Sequence, residues 1–143
     1  MKFATTRIAL CTMLAVTGAA TAGAADLTVS VVNMETTSGT LFISVYDDAE
    51  AYTASNSDAA VLSGRGKVRG EEYKFTLHNL EPGQYAIKMF HDENDNGEMD
   101  SNMLGIPKEG YGFSRNGGRL GPASWEDAVI DLQEDMSISI KLR

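Results

Sequence analysis

Cysteine occurs once, at Cys11, and the sequence holds only two histidines, one tryptophan and three prolines. Cys11 falls inside an N-terminal stretch that reads as a removable leader, so the chain beyond it has no thiol. That excludes disulfides, thiol catalysis and cysteine-type zinc sites from the working domain. Basic residues are also scarce: 12 Lys and Arg stand against 20 Asp and Glu, for a net charge of −8. Nucleic acid and anionic membrane surfaces repel a domain this acidic, which suits cations or basic partners instead. Long apolar runs are missing too. The nearest, Ile8 to Val16, is too short to span a bilayer, so the protein is expected not to be membrane-embedded.

What is present begins with a leader in three parts. Lys2 and Arg7 give a positive start, Ile8 to Val16 an apolar run, and Ala22-Gly23-Ala24-Ala25 a small-residue end before Asp26. This order is that of a secretory signal over residues 1–25, cleaved near Ala24 or Ala25. A retained anchor is the alternative reading. Ile8-Ala9-Leu10-Cys11 lacks the small residue that a lipoprotein processing site places before its cysteine, which argues against lipidation. Export implies a periplasmic or secreted product, residues 26–143, forming one domain of ordinary size. The leader removes Lys2 and Arg7, so 12 less 2 leaves 10 basic residues against 20 acidic, a net of −10.

Along that domain apolar residues recur with a period of two. LTVSVVN (27–33) and TLFISVY (40–46) alternate as half-buried strands around a turn at Thr36-Thr37-Ser38-Gly39. Asp47–Asp58 reads as a loop or short helical turn, and Ala60–Val68 as a weaker strand interrupted by Gly64 and Gly66. Tyr73, Phe75 and Leu77 share one face. Leu80-Glu81-Pro82-Gly83 is a turn, after which Tyr85, Ile87 and Met89 share the next face. Seven of the 14 glycines fall between Asp92 and Ser124, where regular structure is not expected. Ala128, Ile130 and Leu132, then Ile138, Ile140 and Leu142, close the chain. No helical period runs over three turns. The expected fold is all-β: a single antiparallel β-sandwich of immunoglobulin-like or transthyretin-like type with about seven strands, a barrel being the other possibility.

Two segments can carry chemistry. In HDENDNGEMDSN (91–102), Asp92, Asn94, Asn96 and Gly97 occupy positions 1, 3, 5 and 6 of the pattern D-x-[DN]-x-[DN]-G. Oxygens at alternating positions before a glycine turn wrap the chain around one hard cation, and calcium prefers such oxygen-only ligands. The Glu98 backbone carbonyl takes position 7 and Asp100 position 9. At position 12 an EF-hand has a bidentate Glu, whereas this chain has Met103. A last ligand must therefore come from elsewhere, with Glu109, Glu126 and Asp127 as candidates. The plain alternative is an acidic hairpin tip built on the Asn96-Gly97 turn, with Glu93 and Asp95 as further surface acids. His91 shares parity with Met89 and is expected at the rim of the buried face, orienting the loop through a carboxylate; His78 is expected to be exposed. The second segment, LGIPKEGYGFSRNGGRLGP (104–122), sets Tyr111, Phe113, Arg115 and Arg119 among glycines. Tyr111, Phe113 and Arg115 are the candidate pocket for a sugar or an anion; the alternative is a loop whose aromatics cap the sandwich. Ser114, in Gly-Phe-Ser-Arg-Asn, misses the nucleophile-elbow pattern, and no zinc-protease or phosphate-loop motif is present.

Three stretches carry a resemblance: LEPGQYAIKMFHDENDNGEMD (80–100), LGIPKEGYGFSRN (104–116) and GPASWEDA (121–128). Through them the chain resembles, over nearly all of residues 27–143, a bacterial exported family catalogued as "domain of unknown function 2141". That family has no assigned role, so the resemblance implies an exported domain and leaves its activity unassigned. The L-x-P-G-x-Y-x-I run is similar to that of prealbumin-like and carboxypeptidase-regulatory-like β-sandwiches. The D-x-N-x-N-G-x-x-D run is similar to calcium loops in B-type repeats of bacterial surface adhesins. A transthyretin-like hydrolase would end Tyr-Arg-Gly-Ser, whereas this chain ends Ile140-Lys141-Leu142-Arg143. The expected function is a calcium-stabilised binding or accessory module of the cell envelope with an envelope or extracellular partner. The alternatives are an envelope hydrolase using the 104–122 loop, or a metal-free structural protein.

Overall fold

Strand alternation organises the computed structural model, which describes residues 23–143. The leader expected over residues 1–25 thus lies almost wholly outside the described residues. Eight strands form: β1 (Ala25–Val32), β2 (Thr40–Tyr46), β3 (Leu62–Lys67), β4 (Tyr73–Leu80), β5 (Gly83–Asp92), β6 (Tyr111–Phe113), β7 (Ile130–Leu132) and β8 (Met136–Lys141). Two short helices, α1 (Ala49–Thr53) and α2 (Trp125–Ala128), are each started by an acceptor side chain, from Asp48 and Ser124.

The strands make two sheets, ordered β4-β1-β8 and β3-β2-β5-β6, with β7 pairing the start of β5. Every pairing is antiparallel except β1 with β8, which is parallel and joins the two ends of the domain. This is the all-β sandwich that alternation predicts, open at its edges and corrected in one respect by that parallel pair. Between the sheets the alternating residues meet: Leu27, Val29 and Val31 face Leu41, Ile43, Val45 and Ile87, all essentially inaccessible to solvent. Burying each such side chain contributes roughly 1.5–3 kcal/mol before chain entropy is charged against it.

β3 forms without a break, contrary to the expectation from Gly64 and Gly66. The absence of a side chain is what admits a neighbour there: a Cβ on Gly66 would overlap the Tyr73 hydroxyl. A second, smaller core lies on the outer face of the β2–β5–β6 sheet, where Tyr46, Tyr52, Ala86, Phe113, Ala123 and Ala128 pack beneath α1 and α2. It gives the sheet an outer surface that is partly apolar. Both candidate sites belong to this sheet, one beyond its end and one on its outer face.

Candidate functional site

β5 delivers Asp92 to the end of the sheet and buries it to 1 % exposure, where the loop begins. Its Oδ1 accepts the Asn96 N–H at 3.1 Å and its Oδ2 the Gly97 N–H at 2.7 Å. Gly97 has φ of +83°, a conformation that glycine adopts without strain. Asn94 Oδ1 accepts the Asn96 N–H at 3.0 Å, and Asn96 Oδ1 accepts the Glu98 N–H at 2.9 Å. The side-chain amides of Asn94 and Asn96 both donate to Asp100, at 2.6 and 3.1 Å. Four of the five predicted ligands, Asp92, Asn94, Asn96 and Asp100, therefore share one hydrogen-bond network, while Glu98 adds backbone groups to the same turn. Among the described residues no group of three or more Asp, Glu, His or Cys draws together. The oxygens on offer are two carboxylates, two amides and a carbonyl.

Two of the remaining acids part company. Asp95 turns away from the network, accepting the Thr40 hydroxyl at 2.6 Å and pairing with Lys67 at 2.7 Å. Lys67 first, and Thr40 second, hold its carboxyl below the ordinary carboxylate value. Glu109, one of the three candidates for a last ligand, is buried behind the loop. Its Oε1 accepts the Glu93 N–H and its Oε2 the Asp100 N–H, both at 2.9 Å. One carboxylate thus clamps the two ends of the loop, and each oxygen retains a free lone pair. Glu126 and Asp127 lie instead in α2, which packs on α1, β5 and the 114–116 turn.

His91 is fully buried rather than at a rim, and its partner is the Ser38 carbonyl, 2.6 Å from Nε2, not a carboxylate. The β1–β2 turn folds over it and supplies that carbonyl. Nδ1 has no partner. His78 is exposed, as its parity predicts, and meets Asp26 at 2.7 Å.

The aromatics of the second segment stay together and its first arginine leaves them. Tyr111 and Phe113 contact edge to face, with centroids 5.9 Å apart, on β6. Arg115, at φ +56°, points its guanidinium at the Glu126 and Val129 carbonyls, closing the end of α2. Arg143 takes the place expected of it, 5.2 Å over the Tyr111 ring. Ser114, which resembled no catalytic motif, is wholly buried: its hydroxyl accepts the Ile87 N–H and donates to the Ala128 carbonyl.

Tyr111 and Phe113 floor a cavity of about 660 Å³ between the loops that carry Ile106 and Leu120. A smaller cavity of about 290 Å³ continues it across β2 and β5, and the two share Ser55, Lys88, Met99 and Phe113. Lys88 stands at their junction. Its ammonium donates to the Tyr52 carbonyl at 2.5 Å and to the Ser55 hydroxyl at 2.7 Å, and lies 4.2 Å from the Tyr52 ring centroid. Burial lowers its pKa. Sequence reasoning missed this residue, although Lys88 shares its parity with Ala86 and Phe90. Apolar neighbours on the outward face of β5 were the signal that something covers it.

The family described as "Uncharacterized protein conserved in bacteria (DUF2141)" matches residues 29–140. Neither a curated protein nor a solved structure matches the chain.

Proposed function

The chain belongs to that bacterial family, and on this premise we propose that it is an exported, calcium-stabilised β-sandwich acting as a binding or accessory module of the cell envelope. The observation that carries the metal is the 92–100 loop. Its hydrogen bonds keep the register of the ligand pattern, its non-ligand acid Asp95 is tied to Thr40 and Lys67, and Glu109 braces both ends. Asp92, Asn94, Asn96, the Glu98 carbonyl and Asp100 would supply the oxygens. With two carboxylates the site is weak, in the range of extracellular modules, whose dissociation constants are roughly 10⁻⁴–10⁻³ M. Export supports such a site, because calcium is more available outside the cytoplasm. Ala25, at 2 % exposure, opens β1 opposite Leu80, so a cut after Ala24 keeps the strand whole where a cut after Ala25 would shorten it.

The test is a thermal melt of the exported protein in chelator, in calcium and in magnesium. At ten times its dissociation constant calcium stabilises by about 1.4 kcal/mol, which raises Tm by about 4–6 °C in a domain of this size. Magnesium, which demands tighter octahedral geometry, is expected to do less, and Asp100→Asn to abolish the rise. A Tm unchanged between chelator and 10 mM calcium (a concentration about tenfold above the weak end of that range) would refute the metal.

A further inference from the structure

The groove holding Lys88 meets the 92–100 loop only at Met99 and has its own chemistry. Its lining contains no Asp, Glu, Asn, Gln or His, in a chain whose acidic residues outnumber its basic ones 20 to 12. Lys88 and Arg119 are its charged groups. No carboxylate pairs with either among the described residues. The Lys88 ammonium has three donors, of which the Tyr52 carbonyl and the Ser55 hydroxyl occupy two. The Tyr52 and Tyr46 rings, 4.2 and 5.9 Å away, offset part of the cost of a half-buried ammonium without a counter-ion, and an anion reaching its third N–H would offset more. Around the two cations the wall is apolar: Met99, Ile106 and Leu120 reach solvent, and Leu120 is fully exposed. Exposed apolar side chains gathered at a concave site mark a binding surface. The volume, about 660 Å³ in the larger part, falls within the range of small-molecule sites.

We propose that this groove binds a free amphiphile with a carboxylate head, the head meeting Lys88 and Arg119 and the apolar body lying over Phe113, Ile106 and Leu120. This rests on the reading of the protein as a binding module and names its ligand class; it does not depend on the metal. A neutral sugar fits less well. The groove's hydroxyl groups can accept from a sugar, but a neutral ligand leaves both cations without a counter-ion. An anionic membrane fits less well again, since the net charge of −8 opposes approach.

The test uses protein purified after expression of the full chain, with laurate, 1-dodecanol and acetate as probes. Trp125, the single tryptophan, lies 5.8 Å from the Tyr52 ring beneath Lys88 and reports binding by fluorescence; calorimetry gives stoichiometry. Laurate is expected to bind one to one below its micellar concentration, dodecanol at least tenfold more weakly and acetate not at all. Lys88→Met keeps an unbranched apolar stem and should weaken laurate at least tenfold while leaving dodecanol unchanged. Arg119→Gln, on an exposed loop, should weaken laurate several-fold without altering the melting temperature, which keeps the test decisive even if Lys88→Met fails to fold. Equal affinity for laurate and dodecanol, or unchanged laurate binding in Arg119→Gln, would overturn the proposal. So would binding of zwitterionic phosphatidylcholine vesicles without binding of laurate. Running the laurate titration in chelator separates this result from that of the metal: laurate bound there by a protein whose melt ignores calcium sustains the groove and removes the cation.

Discussion

Replacing Glu109 by Gln tests how the 92–100 loop is held, because it changes one oxygen for an NH₂ and leaves the shape alone. In the native protein the two carboxylate oxygens each accept one backbone N–H, from Glu93 and from Asp100. Glutamine can accept only one of them and must face the other with a donor. A hydrogen bond to a charged group contributes about 1.5–3 kcal/mol. Losing one such bond and the charge on its neighbour should cost about 2–4 kcal/mol wherever the loop must stay closed. Glu109→Ala is expected to be milder locally, because water can enter the space and satisfy both N–H groups, which the amide forbids. Urea unfolding gives the global cost, and amide hydrogen exchange at Glu93 and Asp100 gives the local one. Local opening can release the loop without unfolding the sandwich, so the exchange rates are the stricter reading. Glu109→Gln within 0.5 kcal/mol of the native protein (about the spread of ordinary surface substitutions), with both amides still protected, would refute the clamp.

Ser114→Ala should destabilise by about 2–4 kcal/mol in urea, since it leaves the buried Ile87 N–H and Ala128 carbonyl without partners, at roughly 1–3 kcal/mol each; a loss below 1 kcal/mol would mean that water replaces the hydroxyl. Asp95→Asn bears on pH. Lys67 and Thr40 hold the Asp95 carboxyl below its ordinary value of 3.8, so its contribution is present above that value and is lost as pH falls through the lower folded one. The stability gap between the native protein and the Asp95→Asn variant should therefore be constant at neutral pH and close below 3.8; a gap that persists into strong acid would show that the carboxylate charge is not the cause.

What the sequence discloses depends on how local the cause is. Strand alternation is set by neighbouring residues, and β2 falls where TLFISVY places it. The hydrogen-bond pattern of the 92–100 loop is equally local, since Asp92 reaches Asn96 and Gly97 within five residues. The parallel pairing of β1 with β8 unites residues more than a hundred positions apart, and no periodicity encodes it. α2 has four residues, too few to display a helical period, so the second core that it covers was invisible. Arg115 and Arg119 are alike in sequence. Only the left-handed backbone at Arg115 sends one guanidinium to the end of α2 and leaves the other at the groove.

One residue joins the two sites. Met99 occupies position 8 of the metal loop, next to Asp100, and its side chain forms part of the groove wall beside Lys88 and Phe113. A cation held by Asp100 would also restrict where Met99 stands, so binding at one site would carry a free energy at the other. Thermodynamic linkage then requires each ligand to change the affinity of the other by the same factor, and a coupling of about 1 kcal/mol makes that factor about fivefold. Laurate titrations in chelator and in calcium, kept below the solubility of calcium laurate, measure it in one direction, and calcium titrations with and without laurate under the same limit in the other. Met99→Ala should reduce the factor toward unity while leaving both sites able to bind, because alanine keeps the backbone of the loop and removes the wall. Equal laurate affinities in calcium and in chelator, with both ligands binding, would show that Asp92 and Glu109 already hold the loop as tightly without the ion as with it.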